Sequence, residues 1–371
     1  MKLGRRELLA MAAAVPSSFA RAEMPADLDA SGLQAVLDSA RSPGVAAAVI
    51  VRDLRWQGAA GFANLETRRA MSATTPVYIG SVSKPLTAAL ALLLAEEGRL
   101  SADSRLVDLL PGWSFGAEGD AMALRHLLTH TAGLPREGHP YWFTGVFPQA
   151  GDLRRIASAG LQSAPGAEWQ YSNLGYALIG QTLMRAGRGT YAELLRSRLR
   201  APLGLANTGV GQPADLARAY TAPGRRTGRG GQDFAGHGAR VGERFERVYH
   251  GAQAMTPAFG VHSTARDLGT FLSALLADAA AEARSPLRAI NASMFTVQHP
   301  FDDGGGWTFG LRATSDAHGA YLRHNGWFAA YRSHVQLRPD RGTAIAVVAN
   351  ADDSQPEAIG AALFEVVRGL T

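Results

Sequence analysis

The chain has 371 residues, of which 46% are hydrophobic and 19% are charged, as expected for a packed globular protein of one large or two closely joined domains. It has no cysteine, which excludes disulfide bonds and thiol catalysis. The net charge is +5, but residues 1–22 hold four basic residues and one acidic residue, so the remainder carries only +2 and indicates no nucleic-acid surface.

Residues 1–22 are typical of a signal peptide. They combine a basic start, a short apolar run from Leu8 and a small-x-small cleavage site ending at Ala22. The Arg5-Arg6 pair favours twin-arginine export, which carries folded cargo. A bilayer span needs about 20 apolar residues, and no segment of the chain meets that length. We therefore predict a periplasmic or secreted protein without a permanent membrane span.

The stretch YIGSVSKPLT at 78–87 opens a run of strong helix formers that closes at Gly98. This pattern predicts a helix with SVSK in its first turn. Residues three apart face the same side of a helix, so Ser81 and Lys84 should be neighbours while Ser83 points elsewhere. The N–H groups at the helix start would stabilise an anion on Ser81, although serine is also a common N-cap.

Lys84 is the only lysine beyond residue 22. The chain has 37 Lys and Arg residues, and all except Lys2 and Lys84 are arginine. Arginine stays protonated at physiological pH, whereas lysine can give up its proton. A single lysine in an arginine-biased chain is thus a candidate base for a nucleophilic serine.

A second candidate motif lies in PGAEWQYSNLGYALIGQTLM at 165–184, where Tyr171 and Asn173 precede a helical apolar pattern. Residues two apart in an extended segment share a side, so the phenol and the amide should face one cleft. The alternative is a capping asparagine beside a packed tyrosine.

The C-terminal part of the chain predicts strands. AAYRSHVQL and TAIAVVAN are strand-like and are joined by the turn residues PDRG. His324, Asn325 and Gly326 fall near the end of the preceding strand, where a glycine would let a substrate lie against the backbone. A histidine there predicts activity that changes between about pH 5 and 8, although a strand histidine is more often structural.

These motifs occur in the order Ser-x-x-Lys at 81–84, Tyr-x-Asn at 171–173 and His-x-Gly at 324–326. In this order they resemble the penicillin-recognising serine hydrolases, in particular the class C β-lactamases and their carboxypeptidase, D-aminopeptidase and esterase relatives. The similarity continues through LLTHTAGLP, PLGLANTGV and FGVHSTARDLGTFL and covers nearly all of the chain after the signal.

The resemblance implies an α+β fold for one hydrolase domain at 23–371. An antiparallel sheet flanked by helices would form from both chain ends, with a mostly helical second domain inserted at about 85–315. The strand-like runs VAAAVIVRD and RWQGAAGFAN near the start, and the helical PEAIGAALFEVVRG near the end, are compatible with this fold. The catalytic serine would lie at the junction of the two parts.

The resemblance also implies a mechanism. Ser81 would attack an acyl carbonyl and become acylated, while Lys84 and Tyr171 share the acid and base work, with either one as the acylation base. The backbone N–H groups of Ser81 and Trp327 would form the oxyanion hole. The implied substrate-binding residues are Asn173, His324, Asn325 and Gly326. No metal or other cofactor is required.

One departure concerns the substrate, because β-lactamases of this branch carry Lys-Thr-Gly where this chain has His324-Asn325-Gly326. Histidine is a weaker anchor for a carboxylate at neutral pH than lysine. The sequence therefore predicts hydrolysis of a D-alanyl peptide, a D-amino-acid amide or a small ester.

Three alternatives stay open at the level of sequence. The chain could be a non-catalytic penicillin-recognising module for binding or regulation, or a genuine class C-like β-lactamase. The match GWSFG at 112–116 also fits the Gly-x-Ser-x-Gly of α/β-hydrolases, which requires a strand before it and a helix directly after it.

Overall fold

The computed structural model describes residues 28–116, 118–135, 150–158, 160–220, 253–277 and 285–370. Its strands are β1 (Gly44–Val51), β2 (Leu54–Asn64), β3 (Arg69–Ala70), β4 (Val77–Tyr78), β5 (Gly209–Val210), β6 (Val261–Ser263), β7 (His299–Pro300), β8 (Gly306–Trp307), β9 (Arg312–Asp316), β10 (Gly319–Phe328), β11 (Tyr331–Arg338) and β12 (Thr343–Ala349). Nine of them form one antiparallel sheet in the order β3-β2-β1-β12-β11-β10-β9-β8-β7. The other three form a small sheet in the order β4-β6-β5.

The helices cover both faces of the large sheet. They are α1 (Ala30–Asp38), α2 (Ser83–Glu96), α3 (Leu106–Leu109), α4 (Leu124–Leu128), α5 (Ala150–Ala157), α6 (Asn173–Gly187), α7 (Tyr191–Leu195), α8 (Ala201–Leu203), α9 (Ala265–Leu276), α10 (Arg288–Phe295) and α11 (Pro356–Val367). Short 3₁₀ turns flank several of them, and two π-helical turns occur at Arg196–Arg200 and Thr256–Gly260.

The central strands β1 and β12 are apolar along their whole length because the sheet is covered on both sides. Every residue of both strands is buried. Alternate residues belong to two separate cores, as the two-residue period of a strand requires. Val45 and Val49 pack with α1 and α11, whereas Ala46 and Ile50 pack with α2, α9 and the other helices of the opposite face.

The structure confirms the predicted α+β fold and its main elements. The strand-like runs near both chain ends are β1, β2, β11 and β12, and the turn between the last two is the 3₁₀ turn Pro339–Arg341. The predicted helix after Pro85 is α2, and Gly98 follows it with a φ of +68°.

The predicted signal at 1–22 lies outside the described residues. The GWSFG segment follows helix α3 and lies in a loop, so it lacks the preceding strand that an α/β-hydrolase nucleophile requires. Across the described ranges, no helix combines the length and the apolar character needed to cross a bilayer.

Helix α2 should contribute strongly to stability because Leu90, in its middle, is 0% exposed. We expect Leu90→Ala to lower the free energy of unfolding by about 2–5 kcal/mol through lost burial and the cavity left behind. The matched control is Leu65→Ala, since Leu65 is 44% exposed and its truncation should change the free energy by no more than about 0.5 kcal/mol. Urea denaturation measures both, and equal effects would contradict the assigned core.

Candidate active site

Ser81 lies in a tight turn between the small sheet and helix α2. The chain leaves β4, forms the 3₁₀ turn Gly80–Val82 and enters α2 at Ser83. Ser81 is partly exposed, whereas Ser83 is fully buried and its Oγ accepts a hydrogen bond from the Val261 N–H at 3.1 Å. The two serines thus face different surroundings, and Ser81 is the one that solvent reaches.

Lys84 lies directly beneath Ser81 and is 0% exposed. Its Nζ donates to three uncharged oxygens: Ser81 Oγ at 3.1 Å, Asn173 Oδ1 at 2.7 Å and Ala258 O at 2.8 Å. A buried amine is costly unless its N–H groups are paired, and these acceptors provide the pairing. The geometry therefore fixes Nζ against the Ser81 hydroxyl.

The Ala258 carbonyl comes from the π-helical turn Thr256–Gly260, which is wholly buried. Thr87 lies three residues after Lys84 in α2 and holds the π-helical turn in place, because its Oγ1 donates to Pro257 O at 2.7 Å. Sequence reasoning missed this contribution, since a backbone carbonyl has no signature in the residue types.

Tyr171 and Asn173 reach the same lysine from the segment that leads into helix α6. Ser172 caps α6, where its Oγ accepts from the Gly175 N–H at 3.2 Å, so Asn173 is the first residue of the helix. The Tyr171 ring centroid lies 4.8 Å from Lys84 Nζ, and this side chain is partly exposed. The structure thus brings Ser81, Lys84, Tyr171 and Asn173 together.

Strand β10 forms the opposite wall and approaches the Ser81 turn backbone to backbone. A Cβ atom on Gly326 would lie 2.0 Å from Ile79 O, and a Cβ on Gly80 would lie 2.4 Å from Trp327 N. Gly80 also has a φ of +53°, which favours glycine. Two glycines are therefore needed for the Trp327 backbone to sit beside Ser81.

Asn325 does not join this group. Its side chain is exposed on the other face of β10, where Nδ2 donates to Glu357 Oε2 at 2.7 Å and Oδ1 lies 2.6 Å from His334 Nδ1. Neighbouring residues of a strand point to opposite faces, and the buried His324 and Gly326 share the other one. The Asn325 side chain therefore points away from the Ser81 side of β10, and its role in substrate binding stays a prediction.

The family model described as Beta-lactamase matches residues 30–367. The chain belongs to the Beta-lactamase family. Esterase EstB of Burkholderia gladioli is 29% identical over 289 residues, which are 68% of this chain and 72% of the esterase.

Two solved structures of this fold are similar along most of the chain. The D-stereospecific amidohydrolase from Streptomyces sp. has a TM-score of 0.73 at 23% identity, over 92% of this chain and 99% of that one. The β-lactamase/D-alanine carboxypeptidase from Pseudomonas syringae has a TM-score of 0.72 at 19% identity, over 91% and 97% of the two chains. These likenesses establish the fold, and together with its family they make the chain a serine hydrolase.

In this member of the Beta-lactamase family, His324 is a neutral group. It is 6% exposed, and burial, reinforced by the charge of Lys84, lowers its pKa to about 3. Its Nδ1 lies 2.8 Å from Asn325 O, which can only accept, so Nδ1 carries the proton and Nε2 presents a lone pair. The expected change of charge between pH 5 and 8 is therefore wrong, because the ring is already neutral there.

An aromatic cluster extends from His324 along the cleft. Trp307 packs beside both His324 and Tyr171, with ring centroids 5.6 Å and 6.0 Å away. Trp169 packs on Trp307 at 5.6 Å and on Phe301 at 5.0 Å. Sequence reasoning missed this wall, although Trp169 stands two residues before Tyr171 and the same spacing rule would have placed it on that side.

Metal chemistry has no evident ligand set here. Over the described ranges, no group of three His, Asp or Glu side chains is placed to hold a metal ion.

The buried His324 predicts an acid-labile fold. The pKa of His324 is 6.5 in the unfolded chain and about 3 in the folded chain. Between pH 6.5 and pH 3, therefore, only the unfolded chain binds a proton at this residue. The free energy of unfolding should fall as pH drops from 6.5 towards 3, by about 1 kcal/mol per pH unit for this residue. The free energy of unfolding of His324→Gln should therefore fall less between pH 7 and pH 4 than that of the wild type. Urea denaturation at the two pH values measures this difference. Identical pH slopes for variant and wild type would contradict this assignment.

Proposed function

We propose that the chain hydrolyses an ester or amide through an acyl-enzyme on Ser81. The observation that supports this most is the 3.1 Å contact between the accessible Ser81 Oγ and the Nζ of the fully buried Lys84. A serine hydroxyl is a weak nucleophile until an adjacent base takes its proton. Lys84 is held at the right place for that role by Asn173 and Ala258.

Tyr171 completes the proton path in this proposal. Its ring stands over Lys84 Nζ, so the two groups form one unit in which the proton of Ser81 Oγ is taken up and later passed to the leaving group. Attack forms the bond between Ser81 Oγ and the acyl carbon, and the carbonyl oxygen becomes an oxyanion. Collapse expels the protonated alcohol or amine, and water then releases the acyl group by the same steps in reverse.

The oxyanion would be bound by the backbone N–H groups of Ser81 and Trp327. Support comes from the close approach of Gly80 to Trp327 N, which brings the two peptide groups together. Fixed N–H donors of this kind stabilise the charge that develops in the transition state.

The substrate class follows from His324. Within this proposal the ring offers a neutral acceptor, Nε2, where β-lactamases of this branch carry a lysine. A D-amino-acid amide or a small ester therefore suits the site better than a substrate that needs a carboxylate anchor, such as a β-lactam or a D-alanyl peptide. The aromatic wall of Trp169, Phe301 and Trp307 would favour an apolar acyl or alcohol group. The names of the esterase and amidohydrolase relatives agree with this choice.

Intact-mass measurement tests the nucleophile. We expect a neutral fluorophosphonate ester to add one adduct to the wild type and to Ser83→Ala, and none to Ser81→Ala. Benzylpenicillin should label the wild type much more slowly, because its carboxylate lacks the lysine anchor. An adduct on Ser81→Ala, or faster labelling by penicillin than by the neutral probe, would contradict the proposal.

The base is tested separately by Lys84→Arg. Arginine keeps the positive charge but cannot release its proton, so we expect hydrolysis of p-nitrophenyl acetate to fall by about 10²- to 10⁴-fold. Lys84→Met serves as the uncharged comparison, and its rate of hydrolysis should fall by as much as that of Lys84→Arg. Circular dichroism confirms that each variant is folded, and near-normal turnover by Lys84→Arg would refute Lys84 as the base.

A further inference from the structure

The segment LLTHTAGLP, which the proposed mechanism leaves unused, contains a strained histidine. Helix α4 ends with a Schellman motif, in which the Thr131 N–H bonds to His126 O at 2.8 Å and the His130 N–H to Leu127 O at 3.3 Å. His130 takes the left-handed position of this motif, with a φ of +61°. Glycine is the usual residue there, and a side chain in this conformation costs free energy. A histidine at this position must therefore make contacts that offset the cost of its backbone conformation.

The contacts of His130 meet this requirement, because its ring packs on Trp307 and Tyr176 and both of its acceptor atoms bind the segment that carries Tyr171. The Gln170 N–H donates to His130 O at 2.8 Å, and the Ser172 N–H donates to His130 Nδ1 at 3.1 Å. The imidazole also packs on the Tyr171 ring, with centroids 4.3 Å apart and planes tilted by 33°. One residue thus holds the peptide groups on both sides of Tyr171 as well as its ring.

The second of these bonds requires a neutral imidazole. Nδ1 accepts, so the proton of the neutral ring is on Nε2. His130 is 2% exposed, and burial together with the charge of Lys84 keeps its pKa well below the ordinary value. Burial thus favours the neutral ring that this hydrogen bond requires.

We infer that His130 is a positioning residue for Tyr171: its Nδ1 and its carbonyl clamp residues 170–172 and set the phenol against Lys84. This inference rests on the proposed function, in which Tyr171 transfers protons. His130 would not touch the substrate, so its loss should lower kcat by misplacing the phenol and leave KM nearly unchanged.

A matched pair of variants isolates the acceptor. His130→Gly and His130→Asn both suit a left-handed backbone and both lose the ring, but only asparagine offers an oxygen close to the place of Nδ1. We expect His130→Gly to lower kcat for p-nitrophenyl acetate by about 10- to 100-fold with KM within about threefold of wild type, and His130→Asn to recover most of that loss.

The control is His126→Asn, because His126 has the same kind of contact outside the site. Its Nδ1 accepts from the Ala123 N–H at 3.0 Å, in the first turn of the same helix. This variant should keep kcat within about twofold of wild type. All values are corrected for the folded fraction measured by circular dichroism. If His130→Gly does not fold, His130→Asn alone decides and must keep at least about a tenth of wild-type kcat.

Two results would overturn the inference: kcat of His130→Gly within twofold of wild type, or His130→Asn no more active than His130→Gly. A wild type without Ser81-dependent hydrolysis would instead refute the proposed function. Crystal structures of wild type and His130→Gly then decide the role of His130, since a displaced phenol supports the clamp and an unmoved phenol overturns it.

Discussion

The site is organised around the burial of a single amino group. Lys84 Nζ has no exposure to water and lies within hydrogen-bond distance of oxygens from three separate segments: the turn before α2, the start of α6 and the π-helical turn at 256–260. Each acceptor must be in place for the group to be tolerated inside the protein. The lysine therefore acts as a structural tie between helices as well as a candidate base, and the positions of Ser81 and Tyr171 follow from it.

A second constraint, made by main chain alone, sets the other wall of the cleft. Gly80 and Gly326 let the Ser81 turn and strand β10 touch without intervening side chains, and Ser333 Oγ donates to Ile79 O at 2.6 Å to hold the contact. The Ser81 turn is thereby attached to the nine-stranded sheet. Sites supported in this way keep their geometry better than sites carried by loops.

The sequence was sufficient for those features that depend on local pattern. Ser81 and Lys84 were placed together by helical spacing, and β11 and β12 by apolar runs with turn residues between them. Sequence patterns did not predict those features of the site that depend on tertiary contacts. The Ala258 carbonyl has no side-chain signature, and the burial that keeps His324 neutral depends on segments far away in the chain. For Asn325 the two-residue strand period, applied more strictly, would have placed the side chain on the far face.

The register of the large sheet bears on how the chain reaches this structure. Strands β1 and β12 are central neighbours, and Val45 pairs with Ala349, so the middle of the sheet joins two ends separated by the whole helical part. Such non-local pairing slows folding, because the entropy of closing a long loop is lost before the contacts compensate for it. During synthesis β1 can pair early with β2, but its other edge is covered only after β12 has emerged. Until β12 is made, that edge of β1 stays open, and an open apolar strand edge is prone to aggregation.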